Sequence, residues 1–197
     1  MLLVVGVAVY LVTRKKSSKK SFWTAKTMAV GAMCMALSSV LSLIKLWSMS
    51  MGGSVTPASM LPLLLFAYCY GVGPGMVLGA LYGVMQFLLD GMAWAALGAI
   101  PNLLDYPIAF GLLGLAGCFR GSKAKMTAGF VLGCFGRFMA SFLSGFIFYG
   151  QYAPEGVNPV WYSLTYNGSY MLVECIICIA LGLLFAINSC LLYTSPS

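Results

Sequence analysis

An all-α membrane protein, built as a bundle of six transmembrane helices, is the fold class this sequence predicts. Three observations carry the prediction. Of 197 residues, 61% are hydrophobic and only 8% charged, whereas an ordinary soluble domain charges about a quarter of its residues. Such a surface must face lipid. The apolar runs are long and continuous, without the period-two alternation that a barrel strand requires. Finally, backbone polar groups in hydrocarbon must be satisfied within a helix or a closed barrel, and with the barrel excluded only helices remain.

The chain divides into an N-terminal apolar segment with a basic cytoplasmic linker (1–25), a membrane domain (26–188) and a short tail (189–197). Met1 to Val12 is apolar but would span only about 18 Å as a helix. It is followed by the basic run RKKSSKK at 14–20. A signal peptide would carry its charge before the apolar stretch and a cleavage site after it. The segment is therefore read as an extra short apolar helix or an over-extended start. From Lys26 onward, helices are expected at 27–47, 57–71, 74–90, 101–119, 126–149 and 165–187, with Pro57 suited to a first helical turn. The tail SCLLYTSPS has no basic flank and reads as non-native.

The charges are sorted by side. Arg14 to Lys26 precedes the first long helix, and Arg120, Lys123 and Lys125 lie between the fourth and fifth. Four crossings separate the two clusters, so both fall on one face, as the positive-inside rule requires. The tight turn at Gly71-Val72-Gly73-Pro74 belongs to the same face. The opposite face carries three longer loops, at 48–56, 91–100 and 150–164, which contain no Lys or Arg. They hold Trp94, Tyr152, Glu155 and Trp161. Trp47, Asp90, Asp105, Tyr149 and Tyr166 stand at the adjoining helix ends, with Lys45 close by.

Only four acids occur in the chain, and Asp105 and Glu174 lie within apolar segments. An intramembrane carboxylate is costly and marks a functional site by default. Asp105 stands about one turn inside the outer end of its span, within reach of a cavity open to that side. The competing structural reading pairs it with Arg137. Glu174 reads equally as a packing or a ligand-contact residue. Tyr and Trp are often interfacial anchors, but an aromatic cluster beside carboxylates attracts a desolvated organic cation. Ala25, Ala29, Ala32 and Ala36 form a stripe at spacings of four, three and four that permits close approach of another helix. Gly75, Gly79 and Gly83 form a second stripe, expected inside the bundle.

Absences narrow the function. The chain has no P-loop, no HExxH, no GxSxG and no His, so it is not expected to hydrolyse ATP, to be an enzyme, or to bind a cofactor or metal. Its seven cysteines, including the Cys175-Cys178 pair, read as small packing residues. The net charge of +7 is explained by the cytoplasmic clusters and membrane lipid rather than by nucleic acid.

The stretches GGSVTPASMLP (52–62), LLDYPIAFGLLGLAG (103–117), RFMASFLSGFIFYGQYAPEG (137–156) and NPVWYSLTYNGSY (158–170) resemble the thiamine-specific (ThiT-type) family. These are the substrate-binding S components of energy-coupling-factor (ECF) vitamin transporters. The resemblance covers roughly Lys26 to Ile187. It implies a six-helix bundle with both ends cytoplasmic that captures thiamine outside the cell. Its partners would be a transmembrane coupling subunit and two ATPase subunits. It also implies that Asp105, next to Tyr106, is the binding carboxylate and Tyr149 the stacking aromatic. Tyr162 and Asn167 match the family's polar pair, Trp94 and Trp47 its loop aromatics, and Ala32 and Ala36 its coupling motif. The sequence departs from the family where Ser141 stands in place of a His, Asp105 in place of a Glu and Tyr149 in place of an indole. All three departures bear on affinity and on the ligand. The alternatives are an S component for another vitamin or a thiamine precursor, and an intramembrane enzyme using Asp105 and Glu174.

Overall fold

The computed structural model describes residues 23–49, 53–90, 98–150 and 156–188. Met1 to Val12, Trp94, Tyr152, Glu155 and the tail lie outside the described residues. Among the described residues, six helices follow one another: α1 (Ala25–Leu43), α2 (Leu61–Tyr70), α3 (Val72–Asp90), α4 (Ala99–Cys118), α5 (Lys123–Phe148) and α6 (Pro159–Asn188). A two-stranded antiparallel hairpin joins α1 to α2, with β1 (Trp47–Ser48) paired to β2 (Ser54–Val55). All the helices except α2 are long and apolar enough to cross a membrane. Their outer faces expose side chains such as Met33, Leu43, Leu88 and Leu172, as a lipid-facing surface must.

Local chemistry explains most of the boundaries. Thr24 caps α1 by accepting from the Thr27 N–H at 3.2 Å, and Ser122 does the same for α5 from the Lys125 N–H at 3.2 Å. Asn158 and Pro159 start α6: the Val160 N–H donates to Asn158 Oδ1 at 2.9 Å, and Pro159 has no N–H to satisfy. This start precedes the expected one at 165, so Tyr162 sits in the first turn of α6 rather than in a loop. At the other end of the bundle, Gly71 (φ 101°) ends α2 in a conformation that L side chains rarely adopt. There Arg120 donates to the Cys69 carbonyl, and the Gly121 N–H donates to Tyr68 Oη at 3.2 Å. The basic turn and the Gly71 turn therefore share one face, as the charge pattern predicts.

Two elements near the opposite face differ from expectation. The first helix ends at Leu43 instead of running through Trp47. Ser39 and Ser42 hydroxyls bond back to the Met35 and Ser39 carbonyls at 2.9 and 2.8 Å, which loosens the last turns, and strand pairing then captures Trp47. The second helix begins at Leu61, with Pro62 in its first turn, not at Pro57. Thr56 Oγ1 instead accepts from the Ser59 N–H at 3.2 Å, forming a turn in which Ala58 has φ 67°.

The short α2 is the centre of the bundle and touches all five other helices. Ten residues reach only about 15 Å, half of a bilayer's apolar thickness. The irregular Val55–Met60 stretch that precedes α2 is tolerated at that depth because it is enclosed by protein. Val55, Thr56, Ala58, Ser59 and Met60 are all buried.

The stripe of Gly75, Gly79 and Gly83 lies inside, where α3 crosses α4 almost in backbone contact. A Cβ on Gly83 would meet the Tyr106 carbonyl and stand 2.8 Å from Pro107 Cα. Neither neighbour is a side chain that can rotate away. Gly83→Ala is expected to destabilise the protein by about 3 kcal/mol, the upper end of the overpacking range. The check is a lowered thermal midpoint of the purified protein; an unchanged midpoint would show that the crossing can open without cost.

Candidate functional site

Asp105 owes its placement to an irregularity in α4. Pro107 has no N–H for the regular ladder. The chain answers with a π turn over Leu104–Ile108, in which the Ala109 N–H reaches back five residues to the Leu104 carbonyl. Such one-residue bulges recur at functional sites. Here the bulge carries Asp105 and Tyr106 into a cavity at the end of the bundle remote from Arg120, Lys123 and Lys125.

The cavity is lined by three columns of residues. On α3, Gln86 and Asp90 follow Tyr82 at intervals of four. On α5, Arg137, Ser141 and Gly145 keep the same spacing, with Tyr149 next in step at the helix cap. On α6, Tyr162, Tyr166 and Tyr170 form a third column, with Ser163 and Asn167 beside it. Asp105, Tyr106 and Phe110 of α4 and Gly53 and Ser54 of the hairpin complete the wall. Residues four apart stack on one helix face, so each column is a single polar or aromatic stripe in an otherwise apolar span.

Asp105 Oδ2 accepts from Ser144 Oγ at 2.7 Å. Asn167 ties α6 to α5: its Nδ2 donates to the Ser163 carbonyl at 3.1 Å and to the Ser141 carbonyl at 3.4 Å, and its Oδ1 accepts from Tyr170 Oη at 3.1 Å. Gly145 permits this approach, since a Cβ there would stand 2.9 Å from Asn167 Nδ2. The tyrosine column is continuous, with ring centroids 5.9 Å apart for Tyr162 and Tyr166 and 6.1 Å for Tyr166 and Tyr170. The hairpin rests on it: the Gly53 N–H donates to Tyr166 Oη at 3.2 Å.

The charges are unevenly matched. Arg137 lies over the Phe110 ring, its Cζ 4.1 Å from the centroid, and its Nη1 is 3.7 Å from Glu174 Oε2. Glu174 is 1% exposed and also accepts from the hydroxyls of Thr56 and Ser59, the latter at 2.8 Å. It is a buried structural partner and does not line the cavity. Lys45 pairs with Asp90 at 2.9 Å. Among the described residues, Asp105 alone of the carboxylates forms no ion pair with a basic side chain. The alternative pairing of Asp105 with Arg137 gives way to the Arg137–Glu174 pair.

Six of the residues expected from the sequence come together here: Asp105, Tyr106, Ser141, Tyr149, Tyr162 and Asn167. Trp47 does not join them; it stands on β1, 69% exposed. Trp94 lies outside the described residues. Ala25, Ala29, Ala32 and Ala36 are all exposed along α1. Sequence reasoning did not single out Gln86, Ser144, Ser163 or Tyr170, or give Arg137 a place in the wall. The signal was present as polar residues four apart within apolar helices.

Comparison with known proteins places this arrangement. The family model for thiamine transporter proteins (Thia_YuaJ) matches residues 28–193. The chain is 39% identical over 153 residues to the thiamine transporter ThiT of Bacillus subtilis (strain 168), a match covering 70% of this chain and 78% of that protein. It is 33% identical over 134 residues to the thiamine transporter ThiT of Lacticaseibacillus paracasei, covering 61% of this chain and 67% of that protein. A solved structure of ThiT from Listeria monocytogenes shares the fold, with a TM-score of 0.66 at 24% identity over 79% of this chain and 92% of that one. A six-helix fold, apolar outer faces and a family match across most of its length establish that this chain belongs to the thiamine transporter family, as a multi-pass membrane protein of bacteria.

Proposed function

We propose that the cavity binds thiamine, and that the chain is the S component that captures it outside the cell for an energy-coupling-factor transporter. The observation that carries this reading is the unmatched charge of Asp105. With Arg137 balanced by Glu174 and Lys45 by Asp90, the wall presents one carboxylate in surplus beside a column of tyrosines. A flat organic cation supplies the missing charge, and its rings suit the tyrosine faces. Thiamine also brings an aminopyrimidine whose N–H groups Asp105 can accept. Tyr149 and Tyr162 would stack on the rings, and Tyr106 would flank the carboxylate. Ser141, smaller than the imidazole of the resembling family, leaves room at the wall that a water can fill. Trp94 and Trp47 belong to this proposal only as the loop aromatics that the family resemblance implies.

The exposed Ala25, Ala29, Ala32 and Ala36 stripe supports the second half of the proposal. Small side chains let a second helix approach closely in lipid, where packing rather than hydrophobic burial drives association. A transmembrane coupling subunit would dock there, and two separate ATPase subunits would supply the energy.

The test is a titration of intrinsic tryptophan fluorescence of the purified protein with thiamine and, separately, with riboflavin. Saturable quenching by thiamine alone is the expected result. Quenching by riboflavin and not by thiamine would assign another vitamin, and conversion of either ligand without partner subunits would identify an enzyme. Uptake by cells should require the coupling subunits together with this chain.

A further inference from the structure

Asp90, the last residue of α3, lines the same cavity as Asp105, but its surroundings differ. Its Oδ2 accepts from Gln86 Nε2 at 3.1 Å, and Gln86 is held in turn by the buried Tyr82, whose Oη is 3.0 Å from Gln86 Oε1. This chain rises from the bundle interior and fixes the carboxylate from below. Its Oδ1 accepts from Lys45 Nζ at 2.9 Å. Lys45 comes from the connection between α1 and β1, and both members of the pair are more than one-third exposed. Asp90 is thus rigidly placed, while its counter-ion sits on a flexible stem in contact with water.

An ion pair of this exposure is weak, because each charge is well solvated when apart. It is therefore exchangeable. An approaching organic cation meets Asp90 at the rim before it reaches Asp105, which is half-buried and bonded to Ser144. At the rim the ligand's positive charge and the Lys45 ammonium compete for one oxygen.

We propose that Asp90 is an outer subsite for the ligand's fixed positive charge, and that Lys45 is a built-in competitor that slows the cation's capture. The inference rests on the thiamine reading above and deepens it. Lys45 keeps the rim neutral, so the mouth does not gather every cation in solution, and only a ligand that continues to Asp105 is retained. Rim charges act chiefly on association and its salt dependence rather than on the final complex. The consequence belongs to the rate of binding.

The experiment compares the full chain with Lys45→Gln and Asp90→Asn, all purified in detergent. Stopped-flow tryptophan fluorescence is recorded with thiamine and with an analogue whose thiazolium nitrogen is replaced by carbon, which keeps the shape and removes the charge. Lys45→Gln is expected to speed thiamine association by about two- to fivefold, the worth of one exposed pair, with the gain shrinking as salt is raised. Asp90→Asn should slow it. Neither change should alter the rate for the uncharged analogue. Equal acceleration of both ligands would show a mechanical latch on the hairpin and overturn the proposal. So would an unchanged thiamine rate in Lys45→Gln. Absence of thiamine binding by the unmodified chain would instead overturn the reading on which this inference stands.

Discussion

Replacing Asp105 by Asn is expected to weaken thiamine binding roughly a hundredfold without unfolding the protein. The substitution preserves volume and leaves Ser144 Oγ, 2.7 Å from Oδ2, a partner on the new amide. It removes the negative charge and turns one acceptor into a donor facing the ligand's N–H groups. A hydrogen bond to a charged group contributes about 1.5–3 kcal/mol, and 1.4 kcal/mol is tenfold in affinity. Losing one such bond and the ionic attraction together gives about 3 kcal/mol. Equilibrium titration of the variant, with its thermal midpoint as the folding control, measures this. An unchanged dissociation constant would remove Asp105 from the site, whatever the ligand.

The second large effect concerns stability. Glu174→Ala is expected to destabilise the bundle by about 3–5 kcal/mol, the cost of breaking a buried ion pair from one side. The carboxylate is buried at the meeting point of Arg137, Thr56 and Ser59. Its removal leaves the guanidinium without its counter-charge and two hydroxyls without their acceptor. Because Thr56 and Ser59 belong to the irregular segment before α2, the variant should loosen the hairpin and the helix that fills the core. A matched pair of apolar replacements, Glu174→Leu with Arg137→Met, should recover much of the loss, since it removes both charges at once. Thermal unfolding of the single and double variants decides this. A single variant as stable as the parent would mean that water already serves these groups.

The two carboxylates show why residues of one type part company in this chain. Both Asp105 and Glu174 stand in apolar spans, and the cost of an intramembrane acid applies to each. In the sequence they are alike. Their fates depend on which basic group lies within reach, and that is a contact between helices far apart along the chain. Arg137 is 32 residues from Asp105 and 37 from Glu174, and neither separation indicates which acid it meets. The crossing of α5 with α6 gives it to Glu174, leaving Asp105 without an ion pair among the described residues.

The helices themselves were legible because lipid imposes a simple rule. A segment must be apolar over its length and satisfy its own backbone, and that rule acts on consecutive residues. That the basic turn at Arg120 shares a face with the Gly71 turn was legible as well, since charged loops are sorted by the membrane and not by packing. The tyrosine and serine columns were half legible: Tyr149, Tyr162, Ser141 and Asn167 stood out, but their neighbours four residues away did not. The hairpin was not legible. Trp47 continues an apolar helical pattern, and only pairing with Val55 draws it into a strand.

Composition and the order of apolar and charged stretches thus suffice for the class of fold, the six helices of the described residues and the face on which the acidic and aromatic side chains gather. They suffice because a bilayer tests each segment separately. The π turn that presents Asp105, the pairing that neutralises Arg137 and the hairpin that lies against Tyr166 arise when segments meet. Each depends on backbone approaches of a few ångströms between distant residues, such as Gly83 against Tyr106 and Gly53 against Tyr166. A surplus carboxylate is a property of those meetings, and so the candidate site emerges with the packed bundle.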